Sequence, residues 1–327
     1  MRILRKGAKN AMERTIQTVG RPLEASLVSW LFAEGHVEDV IQELLSFQNA
    51  DGGFGHGIES DFRLPDSSPL ASSVGIRILL DLPEGSKRNA MLDAAFSYLE
   101  EAYISERGGW YAVPAEVMDY PHAPWWSINQ ETGHTAIDES WGNPSAEILS
   151  QFLKAKRQPE TFDLYKQVLY AVRQLEEKEE YSSEHELYCY LPLYDALEGE
   201  LKIRLEETLT VAIHQVIQLN PKDWEEYVAT PLHFLDPKRA SDFGISPMDL
   251  NQQLDWLVCK MEKKGGWMPP WGDSFYSGEL KSAYHEWIGV LTLKALKWLK
   301  AYGRLERENN NEDNGDLERR TAGDTCK

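Results

Sequence analysis

At four predicted helix starts a capping residue stands directly before a proline: Ser68-Pro69, Asn143-Pro144, Thr230-Pro231 and Ser246-Pro247. A cap oxygen takes a backbone N–H that the first helical turn leaves without a partner, and proline brings no N–H to that turn. Each pair therefore predicts a helix start, and four of them point to a reused building unit. Ser246 and Asp249 add the spacing of a capping box.

Helical periodicity fills the stretches between these starts. "PLEASLVSWLFAEG" ends at Gly35, and "VEDVIQELLSFQ" follows with Val37, Val40, Ile41, Leu44 and Leu45 on one stripe. Further helices are predicted over 69–82, 87–104, 144–157, 161–179, 184–197, 200–218, 247–263 and 281–302. An N-terminal helix and a short one after Pro231 bring the total to about twelve. No stretch shows the sustained alternation of a strand. Short links (34–36, 83–86, 158–160, 198–199) alternate with long ones (49–68, 105–143, 219–230, 264–280). In an array of antiparallel helices every second connection falls on the same end, so the long loops are expected to gather on one functional rim.

Three of those long loops share an opening: "QNADGGFG" from Gln48, "RGGWYAV" from Arg107 and "KGGWMPP" from Lys264. The double glycine lets the chain leave a helix in conformations closed to other residues, and the aromatic can fold back onto helix ends. In these residues the chain resembles the terpenoid cyclase and protein prenyltransferase superfamily. Gln48, Asp51, Gly52, Gly53 and Phe54 match that family's repeat fully; Gly108-Gly109-Trp110 and Gly265-Gly266-Trp267 match without the Gln and Asp. The resemblance extends over about residues 10–302. It implies an all-α (α/α)6 toroid with an apolar central cavity open at one rim, and in the family the motif braces helix ends. The expected organisation is one toroid domain over 1–303 and a polar, disordered tail over 304–327. The Asp-x-Asp-Asp acid motif of the cyclases is missing, as is the zinc-holding Asp, Cys and His set of the prenyltransferases. Neither Cys189 in "LYCYLP" nor Cys259 in "WLVCKM" has the required company.

Composition narrows the partners. A net charge of −19 disfavours nucleic acid and anionic lipid surfaces. No apolar run reaches the length of a membrane span, and the start lacks the apolar region of a secretory signal. Three cysteines are too few for a disulfide framework. The expected address is cytoplasmic and the expected partner a small molecule, apolar or a sugar.

The chemistry-bearing residues crowd two long loops. "HGIESD" and the residues after it supply His56, Glu59, Asp61 and Asp66; the 105–143 loop supplies Tyr120, His122, Trp125, Trp126, Asp138, Glu139 and Trp141. Trp267 and Trp271 follow in the last long loop. Aromatic faces at a cavity mouth suit a carbocation, a cationic ligand or a sugar ring. A cyclase-like reaction needs one carboxyl kept protonated, for which Asp61, Asp66 or Asp138 qualifies, with Glu139 adjacent in "IDES". A glycosidase instead needs two carboxylates across a bond, one from each loop, such as Asp61 and Asp138. A binding or scaffold protein without catalysis is the third reading. His56, His122 and His134 are chemically adequate metal ligands, but none has a recognised ligand spacing, so no metal and no cofactor are expected. His185, His214 and His233 read as ordinary helix residues. His285 and Glu286 stand where the last helix meets the rim.

Overall fold

In a computed structural model, residues 1–306 are described. They form twelve α-helices: α1 (Lys6–Val19), α2 (Pro22–Phe32), α3 (Val37–Leu45), α4 (Pro69–Asp81), α5 (Ser86–Glu101), α6 (Gly142–Lys154), α7 (Leu164–Glu176), α8 (Glu184–Ala196), α9 (Gly199–Val216), α10 (Pro231–Phe234), α11 (Pro247–Lys264) and α12 (Ala283–Ala301). Five short 3-10 turns lie in the connections. Pairing of extended backbone among the described residues is limited to isolated bridges.

Three of the four expected caps form. Ser68 Oγ accepts from the Ala71 N–H at 3.2 Å, and Ser246 Oγ from the Asp249 N–H at 3.1 Å. Thr230 and His233 close a reciprocal box at the start of α10. The fourth differs: Asn143 is extended inside the span of α6, and its peptide bond to Pro144 is cis. On α3, Val40, Ile41 and Leu44 are buried as the periodicity requires, but Leu45 at the helix end is 40% exposed.

Even-numbered helices pack on one another in the series α4–α6–α8–α10, and α12 packs on α2. Odd-numbered helices flank them, as α3 does α2, α5 does α4, α7 does α6 and α9 does α8. The ends of the chain meet, because α1 lies along α12. There the Leu4 N–H donates to the Arg304 carbonyl (2.8 Å) and the Glu306 N–H to the Leu4 carbonyl (3.0 Å). A Cβ on Gly289 would stand 2.8 Å from the Gly20 Cα, so α12 and the α1–α2 corner approach as closely as they do because both positions lack side chains.

Two expectations need correction. Arg304, placed in the tail by its polarity, is 2% exposed and donates to the Arg2 carbonyl, Asp255 and Asn251, so the fold reaches at least Glu306. The remainder of the expected tail, 307–327, lies outside the described residues. The alternation of loop lengths is also less regular than expected. Only Gly20 and Arg21 separate α1 from α2, while 235–246 between α10 and α11 is long.

Candidate functional site

The three double-glycine openings adopt one geometry. In each, the first glycine has positive φ (92° at Gly52, 63° at Gly108, 70° at Gly265). In each, the N–H of the following aromatic donates to a buried hydroxyl on a helix further along: Phe54 to Ser72 Oγ (2.9 Å), Trp110 to Ser145 Oγ (3.0 Å) and Trp267 to Thr292 Oγ1 (2.9 Å). The stretch from Gln48 to Phe54 thus ties the end of α3 to α4, and the loop beyond it leaves from a fixed base.

That loop carries Glu59-Ser60-Asp61, held from three sides. Arg21, at the N-cap of α2, donates to the Gly57 and Ile58 carbonyls, both at 2.8 Å. Glu24 pairs with the same guanidinium through two hydrogen bonds (2.8 and 2.6 Å). Arg63 donates to the Ser60 carbonyl and to Glu286 of α12. The Ala123 N–H, from the long loop between α5 and α6, donates to the Asp61 carbonyl at 2.8 Å.

Asp61 is 5% exposed, and its carboxylate is where three segments meet. Trp125 Nε1–H donates to Oδ2 (3.1 Å), while Tyr276 O–H (2.9 Å) and Trp287 Nε1–H (2.6 Å) donate to Oδ1. Burial raises the Asp61 pKa, and these three hydrogen bonds pull it back. Glu59 has no such set of donors. Burial, followed by the negative charge of Asp61, pushes its pKa up to about 8. An indole N–H can only donate, so the two tryptophans favour the ionised form of Asp61 and leave the proton on Glu59. Of the two, Glu59 is the one held more firmly in its protonated form.

The side chains beyond the acids have the character of a recess wall. Several side chains are open to a water molecule and yet strongly dehydrated by the protein around them, a combination found on the wall of a hollow rather than on an outer surface. The Arg77 side chain is 54% exposed, but it pairs with Glu147 on α6 and lies within electrostatic reach of Cys189 on α8 and Glu59 on its loop. Tyr227 is 50% exposed, but burial raises its pKa and it senses Glu184, Asp61 and Glu59. Lys294, also exposed, is brought down to about 8 by burial and by Arg77. Linked rings run along one wall: Trp287–Trp271, Trp271–Tyr227, Tyr188–His233 and His233–Trp298 have centroids 5.4, 5.2, 5.3 and 5.3 Å apart. His185 joins the two halves, with Nε2 2.6 Å from the Tyr227 hydroxyl and its ring 5.6 Å from that of Tyr188.

The expected site residues separate into groups. Asp61, Glu59, Trp125 and Trp271 come together, the last donating its Nε1–H to the Tyr276 hydroxyl at 2.7 Å. Trp126 is buried edge-on against Phe62, and its Nε1–H lacks an acceptor. His122 is held by the Tyr120 carbonyl and Ser127 beside that contact. Asp138 is spent inside its own loop, accepting from the Ala112 N–H, the Thr135 N–H and the Thr135 hydroxyl. It borders a different groove, shared with Tyr111 and His134, and does not face Asp61 across a cleft. Glu139 and Asp66 are exposed. His56 is exposed and bonded to Asn49. Trp141 donates to the Arg107 carbonyl, and Trp267 is buried against Trp298. Among the described residues no three His, Cys, Asp or Glu side chains gather as metal ligands, and no helix is long and apolar enough to cross a membrane.

Sequence reasoning passed over Arg77, His185, Tyr227, His233, Trp287 and Lys294. The available signal was a charged or polar residue interrupting an apolar helical stripe, as Arg77 does in "SSVGIRILL" and Lys294 in "VLTLKALKWL". No protein-family description, no curated protein and no solved structure matches this chain.

Proposed function

We propose that this chain is an enzyme that initiates a rearrangement, an isomerisation or cyclisation, by protonating a small molecule held in the recess. Glu59 is the proton donor. Asp61 is the fixed anion that keeps the proton on Glu59, and Trp271 and Trp287 form the wall against which positive charge develops. The observation that carries this reading is Glu59 two residues from Asp61, whose buried carboxylate is fixed by Trp125, Tyr276 and Trp287 from three separate segments. A ring-like series of helix contacts and three copies of one brace support the toroid as its scaffold. The substrate has polar groups as well as apolar surface, because Arg77, Glu147, His185 and Lys294 would be left without water by a pure hydrocarbon.

The polar wall also favours a second reading, sugar chemistry, with Glu59 as acid and a carboxylate across the recess, Glu147 or Glu184, as its partner. Infrared spectroscopy at neutral pH tests the shared premise: a protonated carboxyl band is expected in the wild type and absent in Glu59→Gln. Ligands identified by native mass spectrometry then supply a turnover assay. Loss of about 100-fold or more in Glu59→Gln supports its role as acid. Wild-type turnover in that variant would remove Glu59 from the mechanism. Wild-type turnover in Glu147→Gln and Glu184→Gln would remove the sugar reading.

A further inference from the structure

Lys294 is the one cation facing the recess for which the described residues provide no carboxylate. Arg77 has Glu147 at 2.9 Å, Arg21 has Glu24 and Arg63 has Glu286. The Lys294 ammonium has only the face of Trp298, 4.9 Å from the ring centroid. Among the described residues no protein acceptor takes its three N–H donors. An ammonium taken out of bulk water without a counter-ion is costly, and such a position is retained where something else supplies the negative charge.

A second donor points to the same place. The Thr230 N–H donates to His233 Nδ1 at 3.1 Å, so the neutral ring carries its proton on Nε2. Among the described residues no protein acceptor takes that Nε2–H. The His233 ring lies edge-on to Trp298, with centroids 5.3 Å apart, so the histidine and the Lys294 ammonium border one indole. Arg77 reaches the same region from α4, close enough for its charge to act on Lys294. These donors come from α4, α10 and α12. Lys294 is seven residues beyond Trp287, about 10 Å along α12 from the indole that holds Asp61.

We propose that Lys294, His233 and Arg77 form an anion-binding subsite in the recess that holds a carboxylate or phosphate group of the substrate, about 10 Å further along α12 than Trp287. The inference deepens the reading above and rests on it: the recess takes a small molecule, and that molecule is anionic at the end away from the acid. Lys294 binds as its ammonium. Arg77 on α4, His185 on α8 and His233 on α10 interact with it directly, while Glu147 on α6 is engaged by Arg77 and Glu184 on α8 acts on His185, Tyr188 and Tyr227. Burial and the nearby lysine hold His185 and His233 below the ordinary histidine range, so both stay neutral at pH 7 and the charge that attracts the anion is that of Lys294 and Arg77. With Lys294 titrating at about 8, binding is expected to be full below that pH and to weaken above it.

Calorimetric titration of the full chain with inorganic phosphate, and separately with succinate, tests the subsite. Wild type is expected to bind at least one probe, with affinity about tenfold weaker at pH 9 than at pH 7. Phosphate binding alone identifies a phosphoryl group, and succinate binding alone a carboxylate. Lys294→Met is expected to lose about tenfold or more at pH 7. Lys294→Arg, which cannot lose its proton, is expected to bind succinate, a dianion throughout, equally at both pH values and shows that the fold survives substitution there. Binding of neither probe by wild type, or unchanged binding by Lys294→Met, would overturn the subsite. Glu59→Gln is expected to bind whichever probe the wild type binds, so failure of the acid assignment and failure of the anion subsite give different results.

Discussion

Replacing Glu59 by glutamine is expected to stabilise the folded chain at alkaline pH and to do little in mild acid. Glu59 has an ordinary value of 4.5 and is raised to about 8 in the fold. Below 4.5 the group is protonated in both states and contributes nothing. Between the two values the folded state holds a proton that the unfolded state has released, so stability falls as pH rises. Above about 8 the full cost of a buried, repelled carboxylate is present. At about 1.4 kcal/mol per pH unit the interval would amount to about 5 kcal/mol. Glu59 borders recess water and Asp61 shares its titration, so about half that figure is the working expectation, roughly 2–3 kcal/mol. Urea unfolding of wild type and Glu59→Gln, at about pH 5 and about pH 9, measures it directly. The variant should gain roughly 2 kcal/mol over wild type at the higher pH and nearly nothing at the lower. A difference that does not change with pH, or a variant less stable at high pH, would refute the acid–carboxylate pair.

Two further outcomes follow from the hydrogen bonds around the site. Ser72→Ala, Ser145→Ala and Thr292→Val each strip the acceptor from a buried aromatic N–H, and each should cost about 1–3 kcal/mol in urea unfolding. Changes below about 0.5 kcal/mol in all three would show that the shared geometry is not a brace. Asp138→Asn should destabilise by roughly 2 kcal/mol, since one carboxylate serves two N–H groups and a hydroxyl. It should leave the infrared carboxyl band of Glu59 in place, and loss of that band would connect Asp138 to the pair after all.

How legible the site was depended on the reach of each interaction. Glu59 and Asp61 stand out in the sequence because the brace accounts for Gln48 to Phe54 and the cap for Ser68, leaving the acids between them unexplained. Asp138 stands out equally, as an acid among tryptophans in a long loop. Its hydrogen bonds to Thr135, three residues away, and to Ala112 settle it as a loop brace. Two acids with similar sequence surroundings thus differ in partners, one serving its own loop and the other receiving indoles from distant segments. The histidines illustrate the same limit. His56 and His122, conspicuous in loops, are held by near neighbours in the chain. His185 and His233, which read as ordinary helix residues, carry the ring contacts of the recess wall.

The sequence by itself determined the helices, their starts and the three glycine openings, because caps, prolines and a 3.6-residue period act within a few residues of one another. It also singled out the loop that carries Glu59 and Asp61. Only the tertiary structure decided that Tyr276 and Trp287, more than two hundred residues further along, would meet Asp61, and that Lys294 would face the recess without a counter-ion. The physical reason is dehydration. A carboxyl or an amine changes character when protein replaces the water around it, and which segments supply that protein is a property of the packed chain.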